Sequence, residues 1–166
     1  MAAYLLIGPS GSGKSMSSKI ISERGASFSV VDLDKELKKR INGASLSNHL
    51  AAIGDKAFFE FSRDVIEEIS AGESRKVLIV VGAGSINYNE GHSWYLQQNL
   101  ISLIGSPIKL YERGDRKIHH PEFESYLNTE FNASRKRLYD GSNFRIDVTE
   151  RTPDEVADCI IEAVTA

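Results

Sequence analysis

The sequence predicts an α/β fold, a three-layer α/β/α sandwich on a five-stranded parallel sheet. Three observations lead there. Apolar runs of strand length alternate with helix-periodic segments along the chain. The run Val77-Leu78-Ile79-Val80-Val81 is unbroken and mostly β-branched, as a strand buried on both faces should be. The stretch Gly8-Pro9-Ser10-Gly11-Ser12-Gly13-Lys14-Ser15 fits G-x-x-x-x-G-K-[ST] at every required position and lies between an apolar run and a helix-compatible segment. Strand, glycine loop and helix in that order are the context of a P-loop NTPase.

The elements follow in order. Residues 4–7 form the first strand and residues 15–24 the first helix, stopped at Gly25. Residues 28–31 form the second strand, which runs into Asp32-Leu33-Asp34. Carboxylates just past a strand end lie on the edge where open α/β sheets bind ligands. Residues 35–41, 46–53 and 55–70 read as helical pieces separated by Gly43 and Gly54. Phe58, Phe61, Val65, Ile66 and Ile69 recur at helical spacing. The third strand, 77–81, ends at Gly82-Ala83-Gly84. Residues 94–104 read as a helix, 108–111 as the fourth strand, 113–121 as an exposed charged loop, and 122–139 as one helix. Residues 144–148 alternate as a fifth strand. Thr152-Pro153-Asp154-Glu155 opens the last helix, with Thr152 as N-cap, Pro153 at the first position and Glu155 closing a capping box.

The loop carries the chemistry. Gly8, Gly11 and Gly13 let the backbone approach an anion closely, and its N–H groups and the following helix N-terminus favour phosphate. Gly11, Ser12, Gly13, Lys14, Ser15 and Met16 are the nucleotide-contact candidates. Lys14 reaches the β- and γ-phosphates, and the Ser15 hydroxyl is placed for Mg²⁺. Asp32 is the candidate for an outer contact to Mg²⁺, which keeps most of its waters. Asp34 is the candidate to accept or orient the acceptor hydroxyl proton. An N-cap on the following helix is the plainer use of either aspartate.

Composition sets bounds. With 166 residues, one domain spanning 1–166 can bury a sizeable core. A net charge of −3 without a basic stripe speaks against duplex nucleic acid as a partner. Cys159 is the single cysteine, so no internal disulfide forms. No run approaches a membrane span, and Met1-Ala2-Ala3-Tyr4 lacks the charged and apolar regions of a leader. The expectation is a cytoplasmic protein, a monomer or weak homodimer. Adjacent His119 and His120 have no spaced companion ligands and are not read as a metal site. Trp94 and Tyr95 read as core.

In sum these features resemble shikimate kinases and the wider group of nucleoside monophosphate kinase-like enzymes. The residues that carry the resemblance are the glycine loop, Asp32-x-Asp34, Gly54-Asp55-Lys56-Ala57-Phe58-Phe59, Gly82-Ala83-Gly84, Arg135-Lys136-Arg137-Leu138-Tyr139 and Arg151-Thr152-Pro153. The resemblance implies ATP-dependent, Mg²⁺-assisted phosphorylation of a hydroxyl on a small molecule, shikimate or a related cyclitol. It implies substrate-binding helices over about 35–71 and a lid over about 113–121. It assigns Arg151 and Pro153 to the adenine, and Asp34, Gly82, Ala83, Gly84 and Arg135 to the acceptor. Arg113, Arg116 and Lys117 are its lid candidates, with Arg116 as the catalytic cation. Phe59 stands where the family has a carboxylate-binding arginine, and Arg63, one helical turn on, is the candidate replacement. That departure keeps other acceptors open: gluconate or a sugar, a nucleoside or nucleotide. A nucleotide-binding regulator without transferase activity is the reading outside enzymes.

Overall fold

The computed structural model describes residues 3–113 and 120–166. In chain order the elements are β1 (Ala3–Ile7), α1 (Lys14–Glu23), β2 (Ser29–Asp32), α2 (Leu33–Arg40), α3 (Leu46–Gly72), β3 (Val77–Val80), α4 (His92–Tyr95), β4 (Asn99–Ile104), α5 (Pro107–Tyr111), α6 (Phe123–Glu130), α7 (Ala133–Asp140), β5 (Phe144–Asp147) and α8 (Pro153–Thr165). Two 3₁₀ turns, Ala83–Ile86 and Asn89–Gly91, join β3 to α4.

The five strands form one parallel sheet in the order β2-β3-β1-β4-β5. Strand period puts Leu5 and Ile7 on one face and Leu6 on the other, and each face has its own core. Leu6, Leu78, Ile101 and Leu103 pack with Ile21 of α1 and Val156 and Ile160 of α8. Leu5, Ile7 and Ile79 pack with Leu33 and Leu37 of α2, Phe58 and Val65 of α3, and Leu138 of α7. The sandwich is thus three layers, as the sequence predicts, and every residue of β3 is buried.

Local chemistry explains the boundaries. Gly25, at φ 66°, follows α1 in the left-handed region that glycine tolerates. Gly54, at φ 86°, kinks α3 between the two helical pieces read from the sequence. The capping box forms as expected: the Thr152 hydroxyl accepts from Glu155 N, and the Glu155 carboxylate accepts from Thr152 N.

Three elements differ from expectation. Residues 94–104 are not one helix: α4 is a single turn, and Asn99–Ile104 is β4, in register beside Tyr4–Ile7. Leu100, Ile101 and Leu103 are completely buried, and a short apolar run buried on both faces carries no period that separates strand from helix. Residues 108–111 are not the fourth strand but part of α5. Pro107 sits at its first position behind an extended Ser106, which favours helix. Residues 122–139 break into α6 and α7. Asn132 intervenes in an extended conformation, and its side chain accepts from Arg135 N at 2.9 Å as the N-cap of α7.

Candidate active site

The loops after β1, β2 and β3 all emerge at the carboxyl edge of the sheet, where a sheet with strands added on both sides of β1 opens a crevice. In the first loop, Gly11 and Gly13 take φ 92° and 89°, which fixes glycine at both positions. A Cβ on Gly8 would lie 2.8 Å from Leu103 O and from Ser12 Oγ, so the turn also requires close approach to β4. Lys14 Nζ donates to Gly8 O at 2.6 Å and arches over the loop. Ser12 Oγ is buried with no hydrogen-bond partner among the described residues. An orphaned hydroxyl inside a nest of N–H groups fits an anion acceptor such as a phosphate oxygen.

Two cavities border this loop. One, about 460 Å³, is lined by Gly11, Ser12, Gly13, Met16, Arg113, Arg151, Pro153 and Val156. Of the nucleotide candidates named from the sequence it gathers Gly11, Ser12, Gly13, Met16, Arg151 and Pro153, while Lys14 and Ser15 are not among its lining residues. Arg113 enters it from the end of α5, where its guanidinium donates to Val148 O and Thr149 O. The other, about 440 Å³, is lined on the loop side by Ser10 and holds Asp34, Ala83, Gly84 and Arg135. Its remaining wall includes Leu46, Leu50, Phe58, Asn87, His120 and Glu130. Ser15 and Asp32 share a third cleft with Ser18 and Lys19.

Asp32 is the N-cap of α2, its carboxylate accepting from Lys35 N at 3.3 Å. The capping use and the place beside Ser15 therefore coexist. Asp34 lies in the first turn of α2, held by the helix rather than by a loop. Burial raises the pKa of its carboxyl, the neighbouring Asp32 charge raises it further, and Lys14 pulls it down. Gly82 makes room for it: a Cβ there would sit 2.3–2.7 Å from the Asp34 carboxylate. Gly82 thus serves Asp34, while Ala83 and Gly84 face the cavity.

Arg135 is 2% exposed. It donates to Glu130 Oε2 at 2.7 Å, to Ala83 O at 3.2 Å and to Asn87 Oδ1. Phe59 and Arg63 do not share the cavity wall with it. Phe59 is 6% exposed, packed among Tyr88, Trp94 and Tyr95, with its ring over the position where a Cβ of Gly91 would be. The Arg63 guanidinium stacks on the Phe59 ring at 5.7 Å and pairs with Asp64. The helix turn puts Phe58 in the cavity instead. Trp94 and Tyr95 are core, as expected. Arg116 and Lys117 lie outside the described residues. Glu130, Asn87 and the Leu46–Leu50 wall are cavity residues the sequence did not single out.

A family model described as "Shikimate kinase" matches residues 10–165. The chain belongs to the shikimate kinase family. A shikimate kinase of Prochlorococcus marinus is 30% identical over 95% of this chain and 80% of its own length. One of Thermodesulfovibrio yellowstonii is 26% identical over 98% and 94%. Among solved structures, shikimate kinase from Bacteroides thetaiotaomicron superposes with a TM-score of 0.74 at 19% identity, covering 99% of both chains. A shikimate kinase from Acinetobacter baumannii, solved with shikimate, gives 0.72 at 19% identity over 99% and 93%. The chain is an ATP-dependent kinase that phosphorylates an alcohol group of a small molecule. Among the described residues no helix is long and apolar enough to cross a membrane.

Proposed function

We propose that the chain transfers the γ-phosphoryl group of Mg·ATP to a ring hydroxyl of shikimate or a related cyclitol. The observation that carries this is the pair of cavities meeting at one glycine loop, with Asp34 on the far side of the junction. ATP lies along the loop, with its adenine toward Arg151 and Pro153, and the acceptor lies against Asp34, Ala83, Gly84 and Arg135. The bond from acceptor oxygen to γ-phosphorus forms as the bond from that phosphorus to the β–γ bridging oxygen breaks. ADP leaves, and the hydroxyl proton passes to Asp34 or to water. Transfer of this kind depends on positioning and charge stabilisation, which Lys14 and the loop N–H groups supply.

Ser15 and Asp32 would hold Mg²⁺. Their shared cleft offers oxygen donors, and the described residues contain no cluster of three or more side-chain ligands. That sparse set suits a cation that keeps its waters and binds through phosphates, where it neutralises their charge. Residues 113–121 act as the lid, with Arg113, Arg116 and Lys117 as its cations, and residues 35–71 carry the acceptor-side helices.

The test is ADP release from Mg·ATP with and without shikimate, beside Lys14→Ala. Cyclitol-dependent release is expected, lowered by a factor of about 10²–10³ in the variant, as for loss of a preorganised charge donor. Release that ignores every cyclitol offered overturns the proposal.

A further inference from the structure

The peptide between Ser10 and Gly11 lies where the two cavities meet: Ser10 lines the acceptor side and Gly11 the nucleotide side. In the proposed transfer the phosphoryl group changes hands across this peptide. Glycine alone does not fix its plane. Gly11 has φ 92°, but glycine adopts either sign of φ about equally well, so the Ser10–Gly11 peptide can turn over at little steric cost. The carbonyls before it are tied within the loop: Gly8 O accepts from Lys14 Nζ at 2.6 Å, and Pro9 O accepts from Ser12 N at 3.1 Å. Ser10 O is tied from outside. The Tyr126 hydroxyl of α6, 116 residues on, donates to it.

That hydroxyl is held by its surroundings. Tyr126 is completely buried. Its ring packs against Tyr111, His120, Phe123 and Phe131 at centroid separations of 5.2–6.4 Å. The Tyr111 hydroxyl in turn donates to His120 O at 2.8 Å, just before α6. In a planar trans peptide the N–H points opposite to the C=O. Holding Ser10 O toward α6 therefore turns the Gly11 N–H away from α6, and Gly11 lines the nucleotide cavity. An N–H directed there attracts phosphate charge, whereas a carbonyl turned there would repel it.

We propose that Tyr126 is a positioning residue for phosphoryl transfer: by holding the Ser10 carbonyl it keeps the Gly11 N–H aimed at the phosphates. This rests on the kinase function above and adds to it a residue that lines neither cavity.

The experiment compares wild type with Tyr126→Phe, which removes only the hydroxyl and keeps the ring. Kinetics are measured with Mg·ATP and shikimate, and the Gly11 amide is followed by NMR as the magnesium complex of a non-hydrolysable ATP analogue is added. One lost hydrogen bond lowers Tm by about 2–4 °C, and a purely structural hydroxyl does no more than that. The proposal expects in addition that kcat falls by about tenfold or more, because the loop is misplaced at the reacting phosphate, with KM for shikimate little changed. It also expects the Gly11 amide proton to shift downfield on analogue binding in wild type, and less so in Tyr126→Phe. A folded variant with wild-type kcat overturns the proposal and leaves the kinase function standing. So does a kcat loss with an unaltered Gly11 shift, or a change confined to KM for shikimate. No transfer by wild type to any cyclitol offered overturns the function and the inference together. If Tyr126→Phe does not fold, the wild-type amide decides: a Gly11 proton that does not respond to the analogue overturns the proposal.

Discussion

At the residue scale the proposed transfer depends on one carboxylate and the space kept for it. On that proposal Asp34 acts in its ionised form, and its pKa is raised above the ordinary 3.8, first by burial and then by Asp32. The sign follows directly. Activity is lost as pH falls through this raised value. The folded state binds the proton more tightly than the unfolded chain, so Asp34 favours folding below its ordinary pKa, and that contribution fades as pH climbs through the raised one. In Asp32→Asn the neighbouring charge is gone, and the Asp34 midpoint is expected to move down. A carboxyl NMR titration reads this, and an unmoved midpoint would leave burial as the only cause. Gly82→Ala places a methyl within 2.3–2.7 Å of the same carboxylate. The carboxylate is the free end of a side chain and can swing aside at small cost to folding. The expectation is a fall in kcat of at least about tenfold, since misplacement by an ångström costs that much or more, with little change in melting temperature. A large loss of stability with kcat intact would contradict it. The aspartate was legible from its place after a strand. The role of Gly82 was not, because the sequence shows a glycine but not which side chain turns toward it.

At the element scale, what could be read from sequence depended on whether the signal was local. The glycine loop, the Gly25 stop and the Thr152 box are local patterns whose hydrogen bonds close within a few residues, and each is found where expected. Thr152→Ala should remove the cap of α8 at about 1 kcal/mol. For a chain of this size that is about 2–4 °C in melting temperature; no shift would mean the box adds nothing beyond the packing of α8. β4 lacked such a pattern. Its identity is fixed by pairing with β1 far away in sequence, and Leu100 to Ile104 satisfies helix and strand spacing alike. Residues 108–111 failed for the opposite reason: a short, largely apolar run suggested a strand, while Pro107 was the better guide. Reading residues 122–139 as one helix also hid the Glu130–Arg135 contact, because the break at Asn132 is what turns Arg135 onto Glu130. Asn87, the other side-chain partner of Arg135, lies 48 residues away and joins it only through the fold.

At the scale of the whole molecule, β1 at the centre of the sheet sends one loop between two cavities, and the flanking strands bring Asp34, Gly82 and Arg151 to the same edge. Helices pack on both faces of the sheet behind that edge, and elements of a packed core rather than free loops carry Asp34 and Arg135. The same arrangement without transfer would serve a nucleotide-binding regulator, and the fate of the γ-phosphorus separates the two. The most direct measurement is a single turnover with γ-labelled Mg·ATP and shikimate. The expected result is label recovered in the phosphate ester of a cyclitol, in step with ADP. Label that stays in ATP, or that appears only as inorganic phosphate while nucleotide is bound, would contradict the account.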